Sequence, residues 1–107
     1  PAAQVEGSPL GVRFADFASA FPAGINAAAT WDPGLIQARG AAMGAEHNGK
    51  GVNVALGLMT NMGEPTCLVA AGGRNWEGFG ADPFLSGAAT AASIKGYQAS
   101  GVIATVK

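Results

Sequence analysis

The run "GGRNWEGFG", residues 72–80, gathers Arg74, Asn75, Trp76 and Glu77 between glycines. Glycine lets a backbone turn tightly or approach a ligand closely, at an entropic cost. Arginine carries its donors in a rigid fork suited to gripping oxygens. The stretch is therefore either a rigid turn that carries polar residues or one wall of a polar site. On the residues alone, Arg74 is a structural partner of Glu77 or a ligand-binding donor, since ion pairs also occupy clefts. Trp76 and Phe79 read as anchors of the loop rather than as a binding platform.

Other reactive side chains are sparse. Cys67 is the sole cysteine, so no internal disulfide can form. His47 falls near a helix end, where it would favour the dipole or make a surface contact. It has no second His or Cys at ligand spacing, so no metal is expected, nor any other cofactor. Lys50 and Lys95 read as solvated surface. Nucleotide motifs fail on spacing. A dinucleotide fingerprint needs its glycines directly after a strand and opening a helix. "GGRNWEGFG" begins well after its strand, and "HNGKG" is too short for a phosphate loop and sits at a helix end.

The elements that must hold these residues follow from caps and apolar runs. "SPLGVRF" predicts a turn and a short strand, and "ADFASAFPAGINAAATW" a loop with one helical turn. Asp32 caps and Pro33 opens a helix that Gly49 and Gly51 end. Leu35, Ala38, Ala42 and Ala45 would be its packing face, and Trp31 a hydrophobic staple before it. "VNVALGLM" predicts a buried strand, followed by a long loop from about Thr60 to Gly80. Asp82 and Pro83 open a second helix, with Phe84, Ala88, Ala91 and Ile94 as its packing stripe. Ser86, Thr90, Ser93 and Tyr97 fall on the other side. Gly101 closes it, and "GVIATVK" is a last strand.

Strands alternating with helices imply an α/β fold with parallel pairing. An open doubly wound sheet and a closed (β/α)8 barrel both satisfy the pattern, and both bind ligands at the carboxyl ends of strands. "GGRNWEGFG" occupies that position. Its loop is longer than most strand-to-helix connections, and long loops in compact domains are often functional.

Composition narrows the class. The 107 residues carry a net charge of −1 with six Lys and Arg, which disfavours nucleic acid and anionic membranes as partners. No apolar stretch is long enough to span a bilayer, and no signal peptide is visible. Large apolar side chains are few beside alanine and glycine, which suits elements packed inside a bigger body. The chain opens at Pro1 and closes on an apparent core strand. The expectation is a fragment of a larger domain.

Together, "SPLGVRFADF…AFPAGINAAATWD", "GKGVNVALG", "AAGGRNWEGFGADPFLSG" and "GVIATVK" resemble the amino-terminal part of fungal family 3 glycoside hydrolases, the β-glucosidases. The resemblance runs from about Ser8 to Lys107, with "GGRNWEGFG.DP" its most specific piece. It implies that residues 1–107 are a fragment of the amino-terminal (β/α)8-like catalytic domain, a partial TIM-like barrel. It further implies a secreted enzyme acting on β-glucosides or cello-oligosaccharides by retaining hydrolysis with two carboxylates. The family carries both carboxylates outside this stretch, so no catalytic residue is expected here. It does imply two glucose-holding residues, Arg74 and Lys107, donating to sugar hydroxyls.

Two departures stand out. Where the family has a sugar-gripping aspartate, this chain has Gly7, with Glu6 one place earlier. Residues 64–68, "EPTCL", replace about one residue, commonly arginine, and Leu58 stands where the family has proline. The alternative function is a non-catalytic carbohydrate-binding or structural α/β domain.

Overall fold

The computed structural model describes residues 3–7, 9–60 and 73–107. Cys67 and the "EPTCL" segment lie outside them. The described elements run β1 (Val5–Glu6), α1 (Gly24–Ala28), α2 (Pro33–Gly49), β2 (Val54–Leu58), α3 (Pro83–Ala99) and β3 (Ile103–Val106). A single 3-10 turn, Asn75–Glu77, precedes α3.

Both long helices start where their sequences require. Asp32 Oδ1 accepts from Leu35 N at 3.0 Å, and Asp82 Oδ1 accepts from Phe84 N at 2.8 Å. A cap of this kind is worth about 1 kcal/mol, and the prolines that follow have no amide to leave unpaired.

The three strands form one sheet in the order β1-β2-β3, both pairs parallel. Val5, Val54 and Ile103 are register partners across it. Beyond Ala55 the register slips by one residue, so that Leu58 rather than Gly57 meets Val106. Such a slip re-aims side chains. Ala55 and Leu58 both join the core with Met43, Tyr97 and Val102. The helices cover one face of the sheet. On the other, Val5 and Ile103 remain 50% and 61% exposed, forming an apolar row with Val54.

The helices bury the opposite faces from those expected. Leu35, Ala38, Ala42 and Ala45 are exposed, while Ile36, Gly40, Met43, Gly44 and His47 are buried. On α3, Phe84, Ala88 and Ala91 are exposed, and of the expected stripe Ile94, half-buried, packs against the core. Ser86, Ser93 and Tyr97, assigned to the other side, are buried. The reason is backbone proximity. A Cβ at Gly40 would lie 2.7 Å from the Ser93 carbonyl oxygen, and one at Gly96 2.5 Å from the Ala41 nitrogen. Residues chosen for smallness carry little hydrophobic signal, so the apolar stripe pointed away from the true contact.

Four smaller expectations change. "SPLGVRF" forms no strand among its described residues; the first strand lies just before it, at Val5–Glu6. His47 is fully buried, its Nδ1 2.7 Å from the Met43 carbonyl and its ring edge-on to Tyr97 at 5.6 Å. Trp31 is 69% exposed at a positive φ of 54°, so it staples nothing. Lys50 is exposed, yet its Nζ donates to the Asp16 carbonyl at 2.7 Å. Lys95 is at the surface, as expected.

Candidate functional site

Gly7, Met59 and Lys107 are the residues that directly follow β1, β2 and β3. Parallel pairing brings all three to the same edge of the sheet. They line one cavity of about 150 Å³ with Pro9, Arg13, Leu56 and Arg74. Leu56 enters it from the face of the sheet that the helices leave bare. The cavity therefore sits at the carboxyl ends of the strands, where α/β folds bind ligands.

Lys107 is held by its backbone. Its amide donates to the Leu58 carbonyl at 2.9 Å. Its own carbonyl accepts from Thr60 N at 2.8 Å and from Thr60 Oγ1 at 2.7 Å. Arg74 is held by its side chain. Its Nε donates to Glu77 Oε1 at 2.7 Å, and this bond raises the arginine pKa further. Glu77 is itself anchored: it closes the 3-10 turn, which packs against α1. A Cβ at Gly24 would collide with the Glu77 and Gly78 carbonyls, so α1 meets the turn backbone to backbone. Phe79 fixes the next step of the loop, 2% exposed among Ala27, Ala28, Ile36, Ala89 and Ala92. Trp76 stays 45% exposed, so of the two expected anchors only Phe79 is a core residue among the described residues.

Both readings of Arg74 are thus compatible in one geometry. The ion pair exists, and the arginine it holds also lines the cavity. The third cation, Arg13, belongs to no motif assigned to sugar binding in the sequence. It stacks on the Phe14 ring at 5.0 Å. The signal for it was available: Arg13 lies in the segment after a parallel strand, on the ligand side of the fold. Among the described residues, no carboxylate side chain lines the cavity. Among the described acidic residues, Asp32 and Asp82 cap helices, Glu46 accepts from Ser19 N, and Glu77 pairs with Arg74. Among the described residues, no group of His, Cys, Asp and Glu could hold a metal ion.

A larger groove of about 600 Å³ runs between α1 and α2. Its lining is mainly apolar, and its one charged group, Arg39, is bonded to backbone carbonyls. The smaller cavity has converging polar donors and the position that ligand sites take in this class of fold, so it is the candidate.

Residues 3–107 match the glycosyl hydrolase family 3 N-terminal domain. The chain belongs to glycosyl hydrolase family 3. It is 55% identical over 107 residues to a probable beta-glucosidase L of Neosartorya fischeri, covering 14% of that protein. It superposes on the beta-D-glucoside glucohydrolase of Trichoderma reesei with a TM-score of 0.92 at 44% identity, covering all of this chain and 15% of that one. A beta-glucosidase of Kluyveromyces marxianus, solved in complex with glucose, superposes at 0.89 with 38% identity, over 100% of this chain and 13% of that one. This family 3 chain thus spans about one-seventh of the length of such relatives.

Proposed function

We propose that this chain forms the amino-terminal β/α units of a (β/α)8-like barrel in a β-glucosidase. The enzyme would be extracellular and release terminal glucose from cello-oligosaccharides and other β-glucosides. The observation that carries this reading is the convergence of Arg13, Arg74 and Lys107 on one cavity beside the strand ends. Each is a charged donor, and a hydrogen bond from a charged group to a sugar hydroxyl is worth roughly 1.5–3 kcal/mol. In the barrel, the bare sheet face with Val5 and Ile103 would turn inward, and the cavity would be one wall of the glucose site.

Retaining hydrolysis uses two carboxylates, one attacking the anomeric carbon and the other protonating the leaving oxygen and then activating water. The family supplies both from outside this stretch. The role of these residues is to orient the sugar so that its anomeric carbon meets the nucleophile. Gly7, in place of the family's aspartate, favours a second reading: a relative that binds sugar without turning it over.

The test is a graft. Residues 3–107 of this chain replace the matching segment of the full-length Trichoderma reesei enzyme, and glucoside hydrolysis and glucose inhibition are measured. Hydrolysis that is competitively inhibited by glucose supports the enzyme. Glucose binding without hydrolysis supports the second reading, and neither would remove both.

A further inference from the structure

Residues 10–21 form a closed loop between β1 and α1. Its neck is tied by Phe21 N donating to the Leu10 carbonyl at 2.8 Å. Compact loops with closed ends are often functional. Phe21 at the neck packs against the core, but the loop turns its other two phenylalanines outward. Phe14 and Phe17 are 92% and 101% exposed, and both hold positive φ angles, 54° and 55°. Non-glycine residues in that region cost free energy and persist only when their surroundings determine them.

What determines them lies on α2. Arg39 donates through Nη2 to the Pro9 carbonyl at 2.7 Å and through Nε to the Pro22 carbonyl at 2.8 Å. Those two carbonyls flank the neck of the loop. Glu46 accepts from the Ser19 amide with both carboxylate oxygens at 3.0 Å. Lys50 Nζ donates to the Asp16 carbonyl at 2.7 Å. Residues seven and four positions apart share one side of a helix. Two charged side chains on one line of α2, with Lys50 at its C-terminal cap, therefore grip the backbone of one loop at its neck, its descending arm and its tip. The face expected to pack by apolar contact works here through charged hydrogen bonds to main chain.

The loop carries the site. Pro9, whose carbonyl Arg39 holds, lines the cavity, and so does Arg13 within the loop. We infer that Arg39, seconded by Glu46 and Lys50, is a positioning residue that fixes the Pro9–Arg13 wall of the glucose site from the half-buried flank of α2. This rests on the reading of the cavity as a glucose site. Arginine suits the task because its fork satisfies two carbonyls at once, which a lysine ammonium cannot do with the same geometry.

The experiment uses the full-length graft with Arg39→Met, Arg39→Lys and, at an exposed position that leaves packing intact, Lys50→Met. Amide hydrogen exchange of residues 10–21 is read together with KM and kcat for an aryl β-glucoside. Arg39→Met should speed exchange in the loop about tenfold or more while α3 exchange stays unchanged, as expected for local opening. It should raise KM about tenfold with kcat within about threefold, the pattern of lost binding. Arg39→Lys should restore part of both, and Lys50→Met should loosen the loop tip with a smaller rise in KM. Unchanged loop exchange in Arg39→Met and Lys50→Met overturns the clamp. Faster loop exchange with unchanged KM overturns the link to sugar binding. Were the parent graft not to hydrolyse glucosides, the enzyme reading and the sugar link would fail together, and the exchange data would still decide the clamp.

Discussion

Glu77, with 5% of its side chain exposed, holds Arg74, with 65% of its side chain exposed, through one bond of 2.7 Å. A buried carboxylate thus holds an exposed arginine that also lines the cavity. Replacing Arg74 by Ala in the graft should lower kcat/KM by roughly 30-fold to 1,000-fold, or ~2–4 kcal/mol of transition-state binding. Glu77→Gln, which keeps a hydrogen-bond acceptor but no charge, should cause a smaller loss. Glycoside turnover with unchanged kcat/KM in Arg74→Ala would remove the arginine from the site.

Gly7 lines the cavity at the position where the family resemblance implies an aspartate. Its backbone is not in the left-handed region, and an added Cβ would sit 3.3 Å from the Leu56 carbonyl oxygen. An aspartate should therefore fit after a shift of a few tenths of an ångström. Its carboxylate would join Arg13, Arg74 and Lys107, a cationic set with no acid among the described lining residues. Gly7→Asp should raise kcat/KM about tenfold or more, since a charged acceptor for sugar hydroxyls is restored. A melting temperature unchanged with no gain in kcat/KM would mean that position 7 does not face the sugar.

Tyr97 offers a pH test of the core. Burial pushes its hydroxyl pKa from 10.0 up to about 12, with nearby Arg39 opposing. The folded value is the higher one, so the neutral tyrosine contributes stability that is fully present below pH 10 and lost by about pH 12. A shift of this size is on the order of 3 kcal/mol. Among the described residues its hydroxyl has no hydrogen-bond partner. Tyr97→Phe should then keep the pH 7 melting temperature and flatten its decline between pH 10 and 12. Thermal melts of the graft across that range would show it; an equally steep decline would place the alkaline sensitivity elsewhere.

How much of this was legible in the sequence differs by element, for physical reasons. Asp32-Pro33 and Asp82-Pro83 fixed two helix starts, because a cap and a proline act locally. Lys107 and Arg74 came from a motif and meet in one cavity. The buried faces of α2 and α3 were inverted, because Gly40, Ser93 and Gly96 pack by being small and so escape an apolar count. His47 was misplaced for a related reason: its burial depends on Tyr97, half the chain away. Arg13 and the Arg39 clamp act on carbonyls and cavities that exist only once the strands pair.

The 107-residue chain alone should behave poorly. Its sheet has β1 and β3 at the edges, and Val5, Ile103, Leu35 and Phe84 are all at least 50% exposed. Open edges and bare apolar faces favour association. Expressed by itself it should aggregate or melt without cooperativity, and release no glucose from an aryl glucoside. A cooperative melt of a soluble monomer would show that these surfaces need no cover.

In the proposed enzyme, Arg13, Arg74 and Lys107 together hold glucose at the carboxyl ends of the strands. A crystal structure of the graft with glucose tests it most directly. Sugar hydroxyls should lie within hydrogen-bond distance, about 2.7–3.2 Å, of all three cations. Glucose bound with none of the three in contact would contradict it.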